Sequence, residues 1–444
     1  MTESQSHKYT SEAVETVDTT GEIDKTVENA DEAVETIDDA RQRRYTRWKK
    51  NSKLLYEFLN TNNTKWPSLT CQLFPDLDLA GDTHRILLSS FTSSQLPEDE
   101  SLYVGKLSSM KHLSWSSLNN FDMEEREFKI DNSLKLPPKN LVEDLRIKFP
   151  AGDCNKARLN VSNPDIIAAA SSNGSVYVFD KTKHGSARQK LISGAMGDPD
   201  YQIHCQLTTS VTCAENEAIS LAWNWQRQGS LATTYAGGQV CVWDLQKFHK
   251  TSPTLVDPQF NIIMDPQGTN DVSWMVNHDS LLACCGEGNV LRVLDTRIDQ
   301  QKAASQAVPN KHHSNGINVC QFNYHKDLLL CSADSSGKIN SWDIRNFEEP
   351  VQSWQHCDAV SALQWNPHHA TVLATASQND GLVKLWDLSQ PDDEQLVFTH
   401  GGHMLGVNDI SWDLHDPWMM CTVSNDNSVQ LWRPASHLLA AVGG

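Results

Sequence analysis

The sequence predicts an all-β protein in which a ring of small antiparallel sheets follows an N-terminal helix. From about residue 150 onward, six blocks end in similar tetrapeptides, whose last residues are 64, 51, 48, 44 and 46 positions apart. A repeat with such a period is typical of a ring-shaped or stacked architecture. The tetrapeptides are YVFD at 177–180, CVWD at 241–244, RVLD at 292–295, NSWD at 340–343, KLWD at 384–387 and QLWR at 430–433.

A second aromatic residue marks five of these blocks, 20 or 21 positions before the tryptophan or leucine of the tetrapeptide. Between the two positions, short apolar or alternating runs are separated by Asn, Asp, Gly and Ser, which predicts strands and tight turns. One block is too small to bury both faces of its sheet, whereas a ring of blocks buries a continuous core and hides most strand edges. The internal aromatic residues are Trp223, Trp274, Phe322, Trp365 and Trp412.

The repeated Trp-Asp pairs at this spacing resemble the WD-repeat β-propeller over residues 66–433. Residues 84–107 supply a seventh strand-rich block, so the resemblance implies a seven-bladed propeller over residues 63–435 and a C-terminal tail at 436–444. The extended segment WPSLTCQLFP at 66–75 is expected to close the ring against the last block.

The N-terminal region has an uneven charge. Residues 1–40 contain twelve Asp or Glu and two Lys, giving −10 of the total net charge of −19. With few aromatic residues, this segment is predicted to be a disordered acidic tail. Residues 41–53 then hold seven Lys or Arg, and apolar side chains at three- and four-residue steps predict an amphipathic helix over 41–62. The basic run is either a solvated helix face or a nuclear import signal.

Composition and missing motifs limit the functional classes. No apolar run approaches the roughly 20 residues that span a bilayer, and the N-terminus lacks a signal-peptide core, which predicts a soluble, non-secreted protein. The eleven cysteines form no C-x-x-C pair and are predicted to be reduced. The negative charge disfavours nucleic acid and favours basic protein partners. Phosphate-loop, zinc-protease and nucleophile-elbow motifs are absent. We therefore expect a binding platform without a cofactor, not an enzyme.

Two histidines, His400 and His403, raise the question of a metal site, because imidazoles close in sequence begin many such sites. In WD repeats, however, a histidine nine residues before the internal aromatic hydrogen-bonds within its own blade, together with an Asp in the following turn. His403 has this register relative to Trp412, so no metal ligands are assigned. The resemblance implies structural roles for His313, His356, His403, Asp380, Asp426 and Trp412. In the other blocks the turn position holds Asn173, Gly237, Gly288 or Ser336, which predicts an incomplete polar network there.

Several longer stretches resemble the histone-binding WD-repeat family of retinoblastoma-binding and chromatin-assembly-factor type, over about residues 43–433. They include YTRWKKNSKLLYEFLNTNNTKWPSLTCQLFPD at 45–76, HRILLSSFTSS at 84–94 and LGVNDISWDLHDPW at 405–418. The resemblance implies a nuclear histone chaperone. With larger subunits of a chromatin assembly complex, it would deliver the core histones of the central tetramer to newly replicated DNA. Neither a membrane nor sequence-specific nucleic acid is an implied partner.

The resemblance also implies a side groove in which a histone-four helix lies between the N-terminal helix and an acidic loop. The matching apolar positions are Leu54, Leu55, Phe58, Leu59 and Phe398, and the matching acidic positions are Asp392, Asp393 and Glu394. Leu54 and Phe58 are expected to face the partner, and Leu55 and Leu59 to face the propeller.

A second implied site is the acidic mouth of the central channel, which takes a histone-three tail or a related basic peptide. The matching positions are Asp153, Asn155, Glu217, Asn270 and Asp271. Ile219 and Ser361 stand where relatives have aromatic residues, and Asn270 stands where they have an acid. These departures weaken the expected tail site.

Two alternatives remain open. W-D-I-R at 342–345 and L-D-T-R at 294–297 match the WD-x-R motif of substrate receptors for cullin-type ubiquitin ligases. A histone-binding subunit of a histone-modifying complex fits the sequence as well.

Overall fold

The computed structural model describes residues 37–78, 82–109, 120–122, 127–129, 140–184, 203–208, 216–247, 254–255, 257–298, 304–307 and 310–439. Within these ranges a helix, α1 (Ile37–Leu55), and a strand, β1 (Tyr56–Asn63), precede the rest of seven antiparallel sheets. The predicted seven-bladed all-β propeller with an N-terminal helix is confirmed. The predicted acidic tail lies outside the described residues over 1–36, as do residues 440–444 of the C-terminal tail. No helix in the described ranges is long and apolar enough to cross a membrane.

The strands of each blade run in order from the inside to the outside of the ring. Blade 1 contains β2 (Cys71–Asp78), β3 (Thr83–Ser90), β4 (Ser101–Ser108) and, after a hairpin of β5 (Asn120–Asp122) and β6 (Glu127–Lys129), β7 (Val142–Lys148). Blade 2 contains β8 (Cys154–Leu159), β9 (Ile166–Ser171), β10 (Val176–Asp180) and β11 (Ile203–Leu207). Blade 3 contains β12 (Ala218–Trp223), β13 (Ser230–Tyr235), β14 (Gln239–Asp244) and, after β15 (Thr254–Leu255), which pairs with β11, β16 (Phe260–Ile263).

The remaining four blades follow the same plan. Blade 4 contains β17 (Thr269–Trp274), β18 (Leu281–Gly286), β19 (Leu291–Asp295) and β20 (Ala304–Ala307). Blade 5 contains β21 (Ile317–Phe322), β22 (Leu329–Asp334), β23 (Lys338–Asp343) and β24 (Gln352–Gln355). Blade 6 contains β25 (Val360–Trp365), β26 (Val372–Ser377), β27 (Val383–Asp387) and β28 (Leu396–His400). Blade 7 contains β29 (Val407–Trp412), β30 (Met420–Ser424), β31 (Ser428–Pro434) and, outermost, β1.

The ring is closed and its core lies between the blades. The innermost strands contact one another in sequence, and β29 of blade 7 contacts β2 of blade 1. Seven clusters of buried apolar residues in the described chain each join two adjacent blades. The cluster between blades 1 and 2, for example, brings Phe74 and Leu87 against Ala169 and Phe179. Each sheet therefore buries both faces, as expected for blades that cannot fold alone.

The internal aromatic residues end the innermost strands and link neighbouring blades. Trp223 donates from Nε1 to the carbonyl of Arg158 in blade 2 at 3.0 Å. Trp412 donates in the same way to the carbonyl of Gln364 in blade 6 at 3.1 Å. Phe322 has no donor and packs into the cluster between blades 4 and 5. The constant spacing found in the sequence thus reflects contacts between blades.

The N-terminal elements differ from the prediction in two ways. The helix covers residues 37–55, not 41–62, and the ring is closed by β1, not by residues 66–75. β1 pairs antiparallel with β31, from Tyr56 opposite Pro434 to Asn63 opposite Ser428. The open edge of β31 would otherwise remain unpaired, and this pairing outweighs a helical periodicity that continues only weakly past residue 55. Residues 71–78 instead form the innermost strand of blade 1.

Candidate functional site

The anchor of α1 is a buried aromatic chain at the side of blades 6 and 7. Trp48 donates from Nε1 to the hydroxyl of Tyr56 at 2.7 Å, and that hydroxyl lies 2.7 Å from Nδ1 of His400. The His400 ring stacks on Trp432, with centroids 4.4 Å apart. Burial, and then the nearby His403, hold the pKa of His400 well below its usual range, so its imidazole is neutral. The helix is therefore fixed to the propeller through its own continuation into β1.

Two inward-facing arginines attach the first half of α1. Arg41 donates from Nη2 to the carbonyl of Asn379 at 3.0 Å, and Arg44 donates from Nη2 to the carbonyl of His403 at 3.3 Å. Other basic side chains of the helix, including Arg47 and Lys50, are exposed. The basic run thus has one face on the propeller and one face in solvent.

An apolar strip runs beside the second half of α1. We define it by four partly buried residues that pack against one cluster: Leu55, Leu59, Val397 and Leu438. Beneath it, Phe398 is buried within the same cluster, 5.4 Å from the ring of Tyr56. Leu54 stands next to the strip and is 62% exposed. The structure therefore brings four of the five predicted apolar residues to one side of the molecule.

Phe58 is the exception, and its expected partner-facing orientation is wrong. It packs against the cluster between blades 7 and 1, next to residues such as Leu73 and Met419. Because residues 56–63 form a strand, Phe58 and Leu59 point to opposite faces, whereas a helix would have placed Phe58 beside Leu54. Val397 and Leu438, which the sequence reasoning missed, take its place in the strip. Val397 carried a signal, since it lies next to the predicted Phe398.

The acidic residues precede the strip directly. Asp392, Asp393 and Glu394 are exposed in the loop between β27 and β28. The loop is held by a hydrogen bond of 3.0 Å from Gln395 Nε2 to Asp392 Oδ1, and by one of 2.8 Å from the Glu394 amide to the Pro391 carbonyl. The chain then enters β28 with Leu396, which is 44% exposed. Three exposed carboxyl groups thus stand at one end of a strand that contributes to the strip.

The channel mouth differs more from its prediction. A cavity of about 420 Å³ is lined by Asn155, Asn270 and Asp271, with Ile219 and Ser361 also on its wall. The cations of the chain already neutralise its inner acids. Lys156 Nζ lies 2.9 Å from Asp271 Oδ1, and Arg158 lies 2.8 Å from Asp409 Oδ2.

The two other predicted channel-mouth residues do not line this cavity. Asp153 is buried, and both of its carboxylate oxygens accept hydrogen bonds of 2.8 Å from Ser94. Glu217 is exposed outside the cavity lining. Glu287, which the sequence reasoning missed, does line it and accepts a hydrogen bond of 2.9 Å from Asn270. Only the pairing of Thr269 with Gly286 explains its place, because that register brings the next turn to the mouth.

The histidines at the common register behave differently from one another. In His403, Nδ1 lies 2.8 Å from Ser428 Oγ and Nε2 lies 2.8 Å from Thr422 Oγ1. The tryptophan that shares Thr422 is Trp432, so the expected tie to Trp412 is wrong. Asp426 Oδ1 lies 3.7 Å from His403 Nδ1. With both ring nitrogens engaged, His403 has no lone pair available for a metal.

Blade 5 has a more complete network than predicted. His313 contacts Asp334 Oδ2 at 2.9 Å and Ser332 Oγ at 2.8 Å, and Trp342 donates to the same hydroxyl at 2.8 Å. The carboxylate comes from Asp334, two residues before the turn position that Ser336 occupies. In blade 6, by contrast, neither ring nitrogen of His356 has a hydrogen-bond partner among the described residues. Burial, and then the charge of Lys384, lower the pKa of His356 to about 4.

The fold and this site define a class: a seven-bladed WD-repeat propeller whose N-terminal helix lies beside an apolar strip and an acidic loop. A family model for the histone-binding protein RBBP4, or its counterpart in the CAF1 complex, matches residues 43–111, which include most of α1 and all of β1. The WD domain, G-beta repeat, matches residues 348–387 and 394–433. The chain is 53% identical over 406 residues to histone-binding protein MSI1 from Saccharomyces cerevisiae, covering 90% of this chain and 95% of that protein. The chain therefore belongs to the histone-binding WD-repeat family.

Proposed function

We propose that this protein is a nuclear histone chaperone that holds a basic amphipathic helix of histone four on the apolar strip. The observation that carries the proposal is the position of three exposed carboxyl groups, Asp392 to Glu394, immediately before the strand that supplies Val397 and Phe398. An amphipathic helix docks by its apolar face, and carboxylates beside the groove pair with its arginines.

The helix α1 supports the proposal from the other side of the strip. Leu54 and Leu55 lie in its last turn, and Leu54 exposes most of its side chain. The backbone is fixed there, because the carbonyl of Leu55 accepts a hydrogen bond of 2.9 Å from the Ala435 amide. A partner helix would meet a preformed surface, which lowers the entropy cost of binding.

The wider role is that of a non-catalytic subunit in a chromatin assembly complex. With larger subunits, the protein would deliver the core histones of the central tetramer to newly replicated DNA. The histone-binding relatives and the net charge of −19 support a basic protein partner. The channel-mouth site for a histone-three tail stays a prediction.

The ubiquitin-ligase alternative gains no support from the WD-x-R motifs. Arg345 donates from Nη2 to Asp343 Oδ2 at 2.5 Å, and Arg297 donates from Nη2 to Asp295 Oδ2 at 2.6 Å. Both arginines therefore pair with the Asp of their own turn, which is an ordinary structural role.

Charge reversal of the acidic loop tests the proposal. The double substitution Asp392→Lys and Asp393→Lys should weaken binding of a histone-four helix peptide at least tenfold, or about 1.4 kcal/mol, because two carboxylates that meet its arginines become cations. Isothermal titration calorimetry measures this. Glu98→Lys with Asp257→Lys is a matched control, since both residues are exposed in other blades and the change in net charge is the same. Equal affinity of the two double variants would contradict the site.

A further inference from the structure

Three side chains of zinc-binding type meet in two turns of blade 6. His356 and Cys357 lie in the loop between β24 and β25, and Asp380 lies in the hairpin turn between β26 and β27. One imidazole nitrogen, the thiol sulfur and one carboxylate oxygen all lie within 4.8 Å of one another. We call this group the blade 6 cluster. It is separate from the apolar strip and from the channel cavity.

His356 is the unusual member of the cluster. Its side chain is fully buried, yet in the described part of the chain no hydrogen bond reaches either ring nitrogen. His313 and His403 occupy the same register in blades 5 and 7, and each has both nitrogens engaged. Because buried polar groups are nearly always satisfied, an unpartnered imidazole calls for an explanation. A metal ion between His356 and its two neighbours supplies one.

Cys357 and Lys384 add a second independent observation. Among the ten described cysteines, Cys357 alone is exposed. Its sulfur lies 2.8 Å from Nζ of Lys384, a side chain that is only 9% exposed. A mostly buried ammonium therefore sits against the thiol, in a place where the cluster favours a cation.

We propose that His356, Cys357 and Asp380 form a zinc-binding site in which Zn²⁺ displaces the ammonium of Lys384. Nitrogen, sulfur and carboxylate ligands together suit zinc, whereas Ca²⁺ and Mg²⁺ prefer oxygen alone. Three protein ligands leave a fourth position for water. On binding, the Cys357 thiol loses its proton to solvent and the thiolate coordinates the metal.

The geometry requires a small adjustment. Zinc bonds of roughly 2.0–2.3 Å place tetrahedral ligand atoms about 3.5 Å apart. The cluster must therefore contract by about 1 Å at most, which the exposed side chain of Cys357 can provide. Two cations, Lys384 and Arg44, face the cluster and compete with the metal, while Asp358 adds a nearby negative charge. The competing cations imply moderate affinity. Because Arg41 and Arg44 attach α1 to the same loops, bound zinc would also reinforce the contact between blade 6 and the helix.

The test is a titration of the full-length protein with Zn²⁺, and with Co²⁺ as a spectroscopic substitute. Wild-type protein should bind one ion per chain, and its Co²⁺ complex should show a sulfur-to-metal charge-transfer band. Cys357→Ser should remove that band and weaken binding at least tenfold. Asp380→Asn should also weaken binding, whereas Asp393→Asn, an exposed acid outside the cluster, should leave it unchanged.

Lys384→Met gives the sharpest contrast, because a merely structural lysine would not oppose a metal. This variant keeps the aliphatic stem and should bind zinc at least threefold more tightly. Circular dichroism checks that each variant is folded. Failure of wild-type protein to bind zinc, equal binding by Cys357→Ser, or unchanged or weaker binding by Lys384→Met would overturn the proposal. None of these outcomes bears on the histone-four site, whose variants lie elsewhere.

Discussion

Glu100 illustrates how a single carboxyl group can set a pH dependence. It is 2% exposed, and its Oε1 accepts hydrogen bonds of 2.5 Å from both the amide and the hydroxyl of Thr92. Within the described chain its Oε2 has no partner. Burial is the main cause that raises the pKa of Glu100 to about 7. The nearby carboxylate of Asp153 adds to the rise, and the bonds from Thr92 oppose it.

The free energy of unfolding should therefore fall as the pH rises from about 4.5, the ordinary pKa of this group, through 7. In that window the folded state holds a proton that the unfolded state has lost. Glu100→Gln imitates the protonated form, so it should be more stable than wild type at pH 8 by roughly 1–3 kcal/mol. The difference should shrink towards pH 5. Urea denaturation at both pH values measures this, and a difference independent of pH would contradict the role given to Glu100.

Individual site residues could be predicted only where the repeat register fixes them. The spacing placed His313 and His403 correctly in hydrogen-bonded positions, because blades repeat the same backbone. Asp153 and Asp271 appeared suitable for a basic peptide, yet Ser94 and Lys156 occupy them. Such pairings depend on side chains from other blades, which the spacing within one block does not reveal.

Among the elements, the boundary between α1 and β1 was the hardest to predict. The basic, amphipathic pattern over 41–55 does form a helix, but Tyr56 to Asn63 form a strand because β31 offers an unpaired edge. That edge lies almost 400 residues later in the chain and leaves no local signal. The blade strands were easier, since turn residues and aromatic positions repeat at short range.

Truncation tests the role of β1 in ring closure. Removal of residues 1–36 keeps every described element, so the Tm should stay within about 2 °C of that of the full chain. Removal of residues 1–63 takes away Tyr56, Phe58 and Leu59, each worth roughly 1.5–3 kcal/mol of buried apolar surface. It also leaves β31 as an open edge. The longer truncation should melt several degrees lower and aggregate. Differential scanning calorimetry decides, and equal Tm values would contradict closure by β1.

Across the whole molecule, charge and shape act together. The net charge of −19 favours fast encounter with basic proteins, while the closed ring holds the helix and the acidic loop in fixed positions. The fold class and the side of the propeller that carries the site could be read from the sequence, because both follow from the repeat order. The exact composition of the apolar strip could not, since Val397 and Leu438 enter it only through tertiary packing.

Hydrogen–deuterium exchange with and without a histone-four helix peptide tests the central claim most directly. We expect slower amide exchange in residues 47–59 and 388–400, the segments that carry the strip and the acidic loop. Exchange in the channel-lining strands β8 and β17 should stay unchanged. Protection confined to those channel strands, with none in the two side segments, would contradict the account.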